Sequence, residues 1–256
     1  MAKIQRRFKN KVALVTGGSF GIGRASAFAF SREGAKVIIA DLDIKEGEKA
    51  VRKIKKEGGE AGFVKADVSK GNEVKEMLKR TIETYGQLDF AHNNAGILGM
   101  KAPTAECTEK NWDRVLNINL KGVWLCMKYE IPQMLKQGGG AIVNTSSVLG
   151  LKGSPYFPAY VASKHGIVGL TKAAAIEYAK AGIRVNVVCP GMIKTEFVEH
   201  RLISDPQMEA RLSARAPAER MGTPEEVAEA VLWLCSREAS FTFGHAMIVD
   251  GGWAAY

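Results

Sequence analysis

Seven short apolar runs recur along the chain, and none shows the strict alternation of a strand with one face in water. They are Val12–Val15, Val37–Ala40, Ala61–Val64, Leu88–Ala91, Ala141–Asn144, Val185–Val188 and Ala246–Val249. Continuously apolar strands are buried on both faces, the environment of a parallel sheet covered by helices. Between the runs lie stretches with helical period: Ile22–Arg32, Lys45–Glu57, Glu73–Tyr85, Trp112–Leu135, Ala159–Ala179 and Glu225–Cys235. Thr223-Pro224-Glu225-Glu226 marks the start of the last with a capping box and a proline in the first turn. The alternation predicts one α/β domain over residues 1–256, a doubly wound parallel sheet of seven strands flanked by helices, with its ligand at the carboxyl ends of the strands. The rhythm fails only from Met192 to Arg220, where no element is clearly periodic and Arg201, Arg211, Arg215 and Arg220 alternate with acids and alanines. A loop that long in a compact domain is expected to be a substrate-covering lid.

Composition adds boundaries rather than detail. The chain is 46% hydrophobic and 25% charged, ordinary for a globular protein. Met1–Asn10 is basic without an apolar core, and no apolar run approaches the ~18 residues of a membrane span. A cytoplasmic protein with no membrane partner is expected. Cys107, Cys126, Cys189 and Cys235 are scattered singly, without metal-binding spacing, and read as small core or surface residues in a reducing compartment. The net charge of +9 is spread over helices in which Lys and Arg mix with Glu, so it reads as a solvated surface and not as a nucleic-acid site; an anionic partner is the alternative. His92, His165, His200 and His245 form no pair with ligand spacing, and no metal is expected.

Chemistry enters at two places. The first run leads through Thr16-Gly17-Gly18-Ser19-Phe20-Gly21-Ile22-Gly23 into a helix, a context in which glycines let backbone approach a pyrophosphate. Asp41 ends the second run, 18 residues past Gly23, where a carboxylate can accept hydrogen bonds from a ribose diol and repel a 2′-phosphate. Phe20 puts no cation beside the turn, so NAD is favoured over NADP; Asp43 reads as a solvated helix-start residue. Tyr160 and Lys164, four apart on one helix, share a face. Lowering a phenol from about 10 to about 7 takes roughly 4 kcal/mol. A cation ~4 Å away at an effective dielectric of ~20 supplies about that much.

These residues, with others in order, resemble a classical short-chain dehydrogenase/reductase over almost the whole length. The TGxxxGxG motif is Thr16–Gly23, the adenine-side Asp-Val is Asp67-Val68, and the NNAG segment is Asn93-Asn94-Ala95-Gly96. The YxxxK motif is Tyr160 to Lys164, and the PG segment against the nicotinamide is Pro190–Thr195. The resemblance implies a Rossmann fold and a catalytic set of Asn119, Ser147, Tyr160 and Lys164. It implies cofactor contacts from Gly17, Ser19, Phe20, Gly21, Ile22 and Gly23 and from Asp41, Leu42, Asp67 and Val68. Asn94, Ala95, Gly96, Tyr160, Lys164, Pro190, Gly191, Ile193 and Thr195 complete them. The substrate pocket would be lined by Ser147, Leu149, Phe157, Tyr160 and Met192, with Lys152 nearby, and the protein would be a homotetramer. The long apolar helices and the aromatic end Gly251–Tyr256 suit buried subunit contacts.

Ser147 ends a strand and Tyr160 lies 13 residues on, so both hydroxyls can converge on one substrate oxygen, with Tyr160 as general acid or base. Lys164 is expected to hold the nicotinamide ribose and lower the Tyr160 pKa, helped by an oxidised nicotinamide ring. The resemblance gives Asn119 a water that relays the proton outward. The function expected is an NAD-dependent oxidoreductase interconverting a secondary alcohol and a ketone by hydride transfer. One rival is an NADPH-dependent 3-oxoacyl-thioester reductase, which the basic charge suits because acyl carrier proteins are acidic. Another is a catalytically silent dinucleotide-binding protein on the same fold.

Overall fold

The structure is a computed structural model that describes residues 6–201, 203 and 205–255. Seven parallel strands form one sheet: β1 Val12–Thr16, β2 Lys36–Asp41, β3 Ala61–Lys65, β4 Phe90–Asn93, β5 Gly140–Thr145, β6 Ile183–Pro190 and β7 Ala246–Val249. Their order is β3-β2-β1-β4-β5-β6-β7, so the winding reverses between β1 and β4 and opens a crevice at their carboxyl ends.

Both faces are covered, as the apolar runs require. Helices α1 Gly21–Arg32, α2 Ile44–Lys56 and α9 Pro224–Cys235 lie on one side; α3 Gly71–Tyr85, α5 Gly122–Lys136 and α6 Pro158–Tyr178 lie on the other. Neighbours in one strand feed opposite layers: Ala13 and Val15 pack with Phe30 and Val231, while Leu14 packs with Met77 and Ile167. Asp43 caps α2 by accepting from Glu46 N, its expected helix-start role, and Thr223 with Glu226 forms the capping box of α9.

The structure corrects three boundaries. The expected helix Trp112–Leu135 is α4 Glu109–Leu116, a π-helical turn Asn117–Lys121, and then α5. The extra residue in the turn breaks the regular period, and Asn119 there is fully buried. Strand β4 lies two residues later than Leu88–Ala91, because His92 and Asn93 are buried polar residues with partners on β5 and α5. The region from Met192 to Arg220 is not aperiodic: it folds as α7 Glu196–Arg201 and α8 Pro206–Ser213. Asp205 caps α8 through Met208 N ahead of Pro206, and Val198, Leu212 and Met221 give this cap a small core of its own.

No helix among the described residues is long and apolar enough to cross a membrane. The four cysteines are unpaired, three of them buried. Tyr256 and Met1–Gln5 lie outside the described residues.

Candidate active site

The glycine turn at the end of β1 tolerates no side chain where it is tightest. Gly17 has φ +63°, and a Cβ there would lie 2.9 Å from Ala95 Cα; at Gly23 it would lie 2.1 Å from Gly17 O. Thr16 Oγ1 accepts from the backbone of Asn94 and Ala95 at 3.0 and 3.2 Å, and Asn94 Nδ2 donates to Thr16 O and Gly17 O at 3.2 Å each. Bare backbone thus opens onto the first turn of the 12-residue α1, a cradle that fits a dinucleotide pyrophosphate. At the end of β2, Asp41 accepts from Ser19 N at 3.0 Å, Leu42 N at 2.7 Å and Asp43 N at 3.1 Å, which fixes its carboxylate beside the turn. The exposed side chains flanking it, Phe20 and Leu42, are apolar.

Pro190 ends β6, and Gly191 packs so closely on Asp250 that a Cβ would lie 2.8 Å from its Cα. Ile193 is buried in a bridge to Gly222, and Thr195 reaches the glycine turn, where its Cγ2 would be 3.0 Å from a Cβ on Gly21. Val68 packs on Gly122, and Asp67 accepts from Ser69 N and Oγ at 3.0 and 2.7 Å. Leu149 and Phe157 are half-buried, whereas Met192 packs into the core of the α7/α8 cap.

The four expected catalytic residues are brought together from the π-helical turn, the end of β5 and α6. Asn119 Oδ1 accepts from Ile97 N at 2.8 Å, and its Nδ2 donates to Ile97 O at 2.9 Å and Ser163 Oγ at 3.1 Å. A Cβ on Gly96 would lie 3.2 Å from Asn119 Oδ1 and 3.6 Å from Lys164 Nζ, so these three meet at one point. Ser147 Oγ accepts from Leu149 N at 3.1 Å, and its hydroxyl lies close enough to the Tyr160 phenol to favour the phenolate. Lys164, 4% exposed, donates from Nζ to Thr145 O at 2.9 Å and lies 5.5 Å from the Tyr160 ring centroid. Ser146 Oγ donates to Lys164 O at 2.8 Å and ties α6 to the strand end.

Burial raises the Tyr160 pKa, with the Ser147 hydrogen bond opposing, and burial lowers Lys164 to about 8, with the Cys189 thiol opposing. Both groups of the pair are thus desolvated, and Lys164 is held in place by its bond to Thr145 O. Burial also lowers His92 to about 3; the neutral ring bonds Thr145 Oγ1 at 2.8 Å and has a structural role, as its lone position suggests.

Two residues of this neighbourhood have no motif to reveal them. Glu196 at the start of α7 accepts from Gly21 N at 3.1 Å and pairs with Arg24, tying the cap to the glycine turn. Glu130 lies buried behind Asn93. A lone Glu in a helix or cap carries no spacing signal; only the fold gives either its partner.

Comparison with known proteins agrees with this geometry. A family model described as enoyl-(acyl carrier protein) reductase matches residues 17–254. The chain is 43% identical over 256 residues to a cyclohexanol dehydrogenase of Acinetobacter sp. (strain SE19), covering 100% of each. It is 39% identical over 246 residues to a 3-oxoacyl-(acyl-carrier-protein) reductase of Thermotoga maritima, covering 96% of this chain and 98% of that one. A crystal structure of levodione reductase superposes with a TM-score of 0.95 at 36% identity, covering 97% and 99% of the two chains. These matches run over almost the full length, and the chain belongs to the classical short-chain dehydrogenase/reductase family of nicotinamide-dinucleotide oxidoreductases.

Proposed function

We propose that this protein is an NAD-dependent oxidoreductase that interconverts a small secondary alcohol and a ketone, with Tyr160 as general acid and base. The observation that carries this reading is the cluster at the carboxyl edge of the sheet, where buried Lys164, anchored on Thr145 O at 2.9 Å, lies 5.5 Å from the Tyr160 ring beside Ser147 and Asn119. Two neighbouring hydroxyls can both reach one substrate oxygen: Ser147 holds it and Tyr160 takes or returns its proton. Bound in the cleft, the nicotinamide dinucleotide supplies the hydride and, when oxidised, a positive ring. Lys164 directs its ammonium to the nicotinamide ribose, anchored by Thr145 O, and favours the phenolate only together with that positive ring. Asn119, clamped by Ile97 and Ser163, anchors the water through which the proton leaves. Leu149 and Phe157 shape the pocket, under the α7/α8 cap.

NAD over NADP rests on Asp41, whose oriented carboxylate suits a ribose diol and opposes a phosphate, with apolar Phe20 and Leu42 as its exposed neighbours. The competing reading, an NADPH-dependent 3-oxoacyl-thioester reductase, is favoured by the net charge of +9 and by the relative of that name. A cytoplasmic homotetramer is proposed on two grounds. Unpaired cysteines suit a reducing compartment, and a 440 Å³ groove lined by Leu116, Leu120, Trp124 and Leu170 suits a second copy of the same helices. The test is purified protein against a panel of secondary alcohols with NAD and with NADP, followed by absorbance of the reduced cofactor. Turnover of cyclic or aliphatic secondary alcohols with NAD supports the proposal; turnover confined to 3-oxoacyl thioesters with NADPH replaces it.

A further inference from the structure

The helical run that bears Asn119 carries Glu130 eleven residues later, and this carboxyl is only 1% exposed. Its Oε2 accepts from Asn93 Nδ2 at 3.0 Å, and the same amide nitrogen donates to Asn144 Oδ1 at 3.1 Å. Asn144 donates from its own nitrogen to Thr171 Oγ1 at 3.0 Å and to Met127 Sδ at 3.4 Å. That turns the Asn144 oxygen toward Asn93, and so turns the Asn93 nitrogen toward both neighbours. Two buried oxygens then have no partner, Glu130 Oε1 and Asn93 Oδ1. They belong to the two groups that a hydrogen bond already joins.

A carboxylate has no hydrogen to offer, so an ionised Glu130 leaves both oxygens alone and buries a charge against one neutral amide, a costly arrangement. A carboxylic acid facing a primary amide closes a ring of two hydrogen bonds, N–H one way and O–H the other. We propose that Glu130 is held as the neutral acid and donates its O–H to Asn93 Oδ1, an acid–amide pair that sets the end of β4 and thereby positions Asn94 under the glycine turn. Asn94 follows directly, holding Thr16 O and Gly17 O. The hydrogen-bonded chain that starts at Glu130 is uncharged, running through Asn93 on β4 and Asn144 on β5 to Thr171 on α6, with apolar Val74 and Met77 of α3 in the same layer; on α5 the Cys126 thiol is pushed well up by burial and by Glu130. Burial accordingly pushes the Glu130 carboxyl up to about 7, with the Asn93 bond opposing.

Glu130→Gln keeps the shape and supplies an N–H in place of the O–H. Infrared difference spectra of wild type minus this variant at about pH 6 should show the carbonyl stretch of a protonated carboxylic acid, fading as pH passes about 7. Between the unfolded carboxyl pKa of about 4.3 and about 7 the folded protein holds the extra proton, so wild type loses stability relative to Glu130→Gln as pH rises through that window and no further above it. The loss is roughly five-hundredfold in the folding equilibrium constant, one factor of ten per pH unit between the two values. The positioning role predicts that Glu130→Met weakens NAD binding about fivefold, the worth of one hydrogen bond, with kcat at saturating NAD unchanged, while Glu130→Gln binds as wild type does. If Glu130→Met does not fold, wild type answers instead: its NAD affinity should fall above about pH 7 relative to that of Glu130→Gln. An absent acid band or a pH-independent stability difference overturns the neutral acid; unchanged NAD affinity in the folded Met variant, or in wild type across that pH range, overturns the positioning role. The infrared and unfolding measurements need no cofactor, so failure there is distinct from failure of the NAD reading.

Discussion

Lys164 donates from Nζ to the carbonyl oxygen of Thr145 at 2.9 Å, joining α6 to the end of β5 across 19 residues of sequence. One hydrogen of the ammonium is therefore spent on the scaffold, which aims the group and leaves two for a ligand. The same bond keeps a lysine in a place that desolvates it, with its pKa at about 8.

That burial has a measurable linkage. The folded-state pKa of about 8 lies below the unfolded value of about 10.4, so between them the unfolded chain holds more protons and stability rises with pH. Relative to Lys164→Met, wild type should gain up to roughly 3 kcal/mol across that window and nothing below it. Thermal unfolding of both proteins from pH 7 to about 10.5 measures the difference; a flat difference would show that the ammonium is not desolvated.

Tyr160→Phe removes only the proton-transfer group, because the ring stays packed and the Ser147 hydroxyl remains. Turnover should fall by ~10²–10⁴-fold while cofactor affinity stays close to wild type. Retention of more than about a tenth of the turnover, in steady-state assays at saturating cofactor, would end the assignment of Tyr160 as acid and base.

Asp41 should set the cofactor choice. Wild type is expected to prefer NAD over NADP by at least ~100-fold in kcat/KM, since a phosphate against a carboxylate costs several kcal/mol and each 1.4 kcal/mol is tenfold. Asp41→Ala should lose NAD efficiency and gain NADP efficiency, while Asp43→Ala should leave the preference unchanged, because Asp43 serves as the cap of α2. Adding Leu42→Arg to Asp41→Ala should raise NADP use further through a guanidinium–phosphate fork. Equal use of NADPH and NADH by wild type would make the acyl-thioester reductase the leading reading.

The exposed groove on α5 and α6 predicts assembly. Light scattering at micromolar concentration should report a tetramer, and Trp124→Glu, which puts a charge beside Leu120 and Leu170 in that groove, should lower the mass. A monomer for wild type refutes the interface.

Much of this protein is legible without its fold. Apolar runs such as Val12–Val15 determine a two-sided sheet, because a strand buried on both faces cannot afford polar positions. The Thr16–Gly23 turn, Asp41 and the Tyr160–Lys164 spacing determine a dinucleotide site with a proton-transfer pair, because local backbone geometry and helix pitch act over a few residues. What sequence could not show depends on distance through space. The π-helical turn that brings Asn119 inward lies inside a stretch with an ordinary helical pattern, and α8 depends on Asp205 capping a short helix whose apolar side packs on distant residues, Met192, Val198 and Met221. The direction of the Tyr160 shift was legible only in part, since spacing places Lys164 nearby but only tertiary packing removes water from both groups. Glu130 is the extreme case: in sequence it is one acid in an apolar helix, and only the approach of β4, β5 and α6 joins it to the chain Asn93–Asn144–Thr171. Period and propensity act along the chain, whereas desolvation and partner choice are properties of the packed interior, which tertiary structure alone decides.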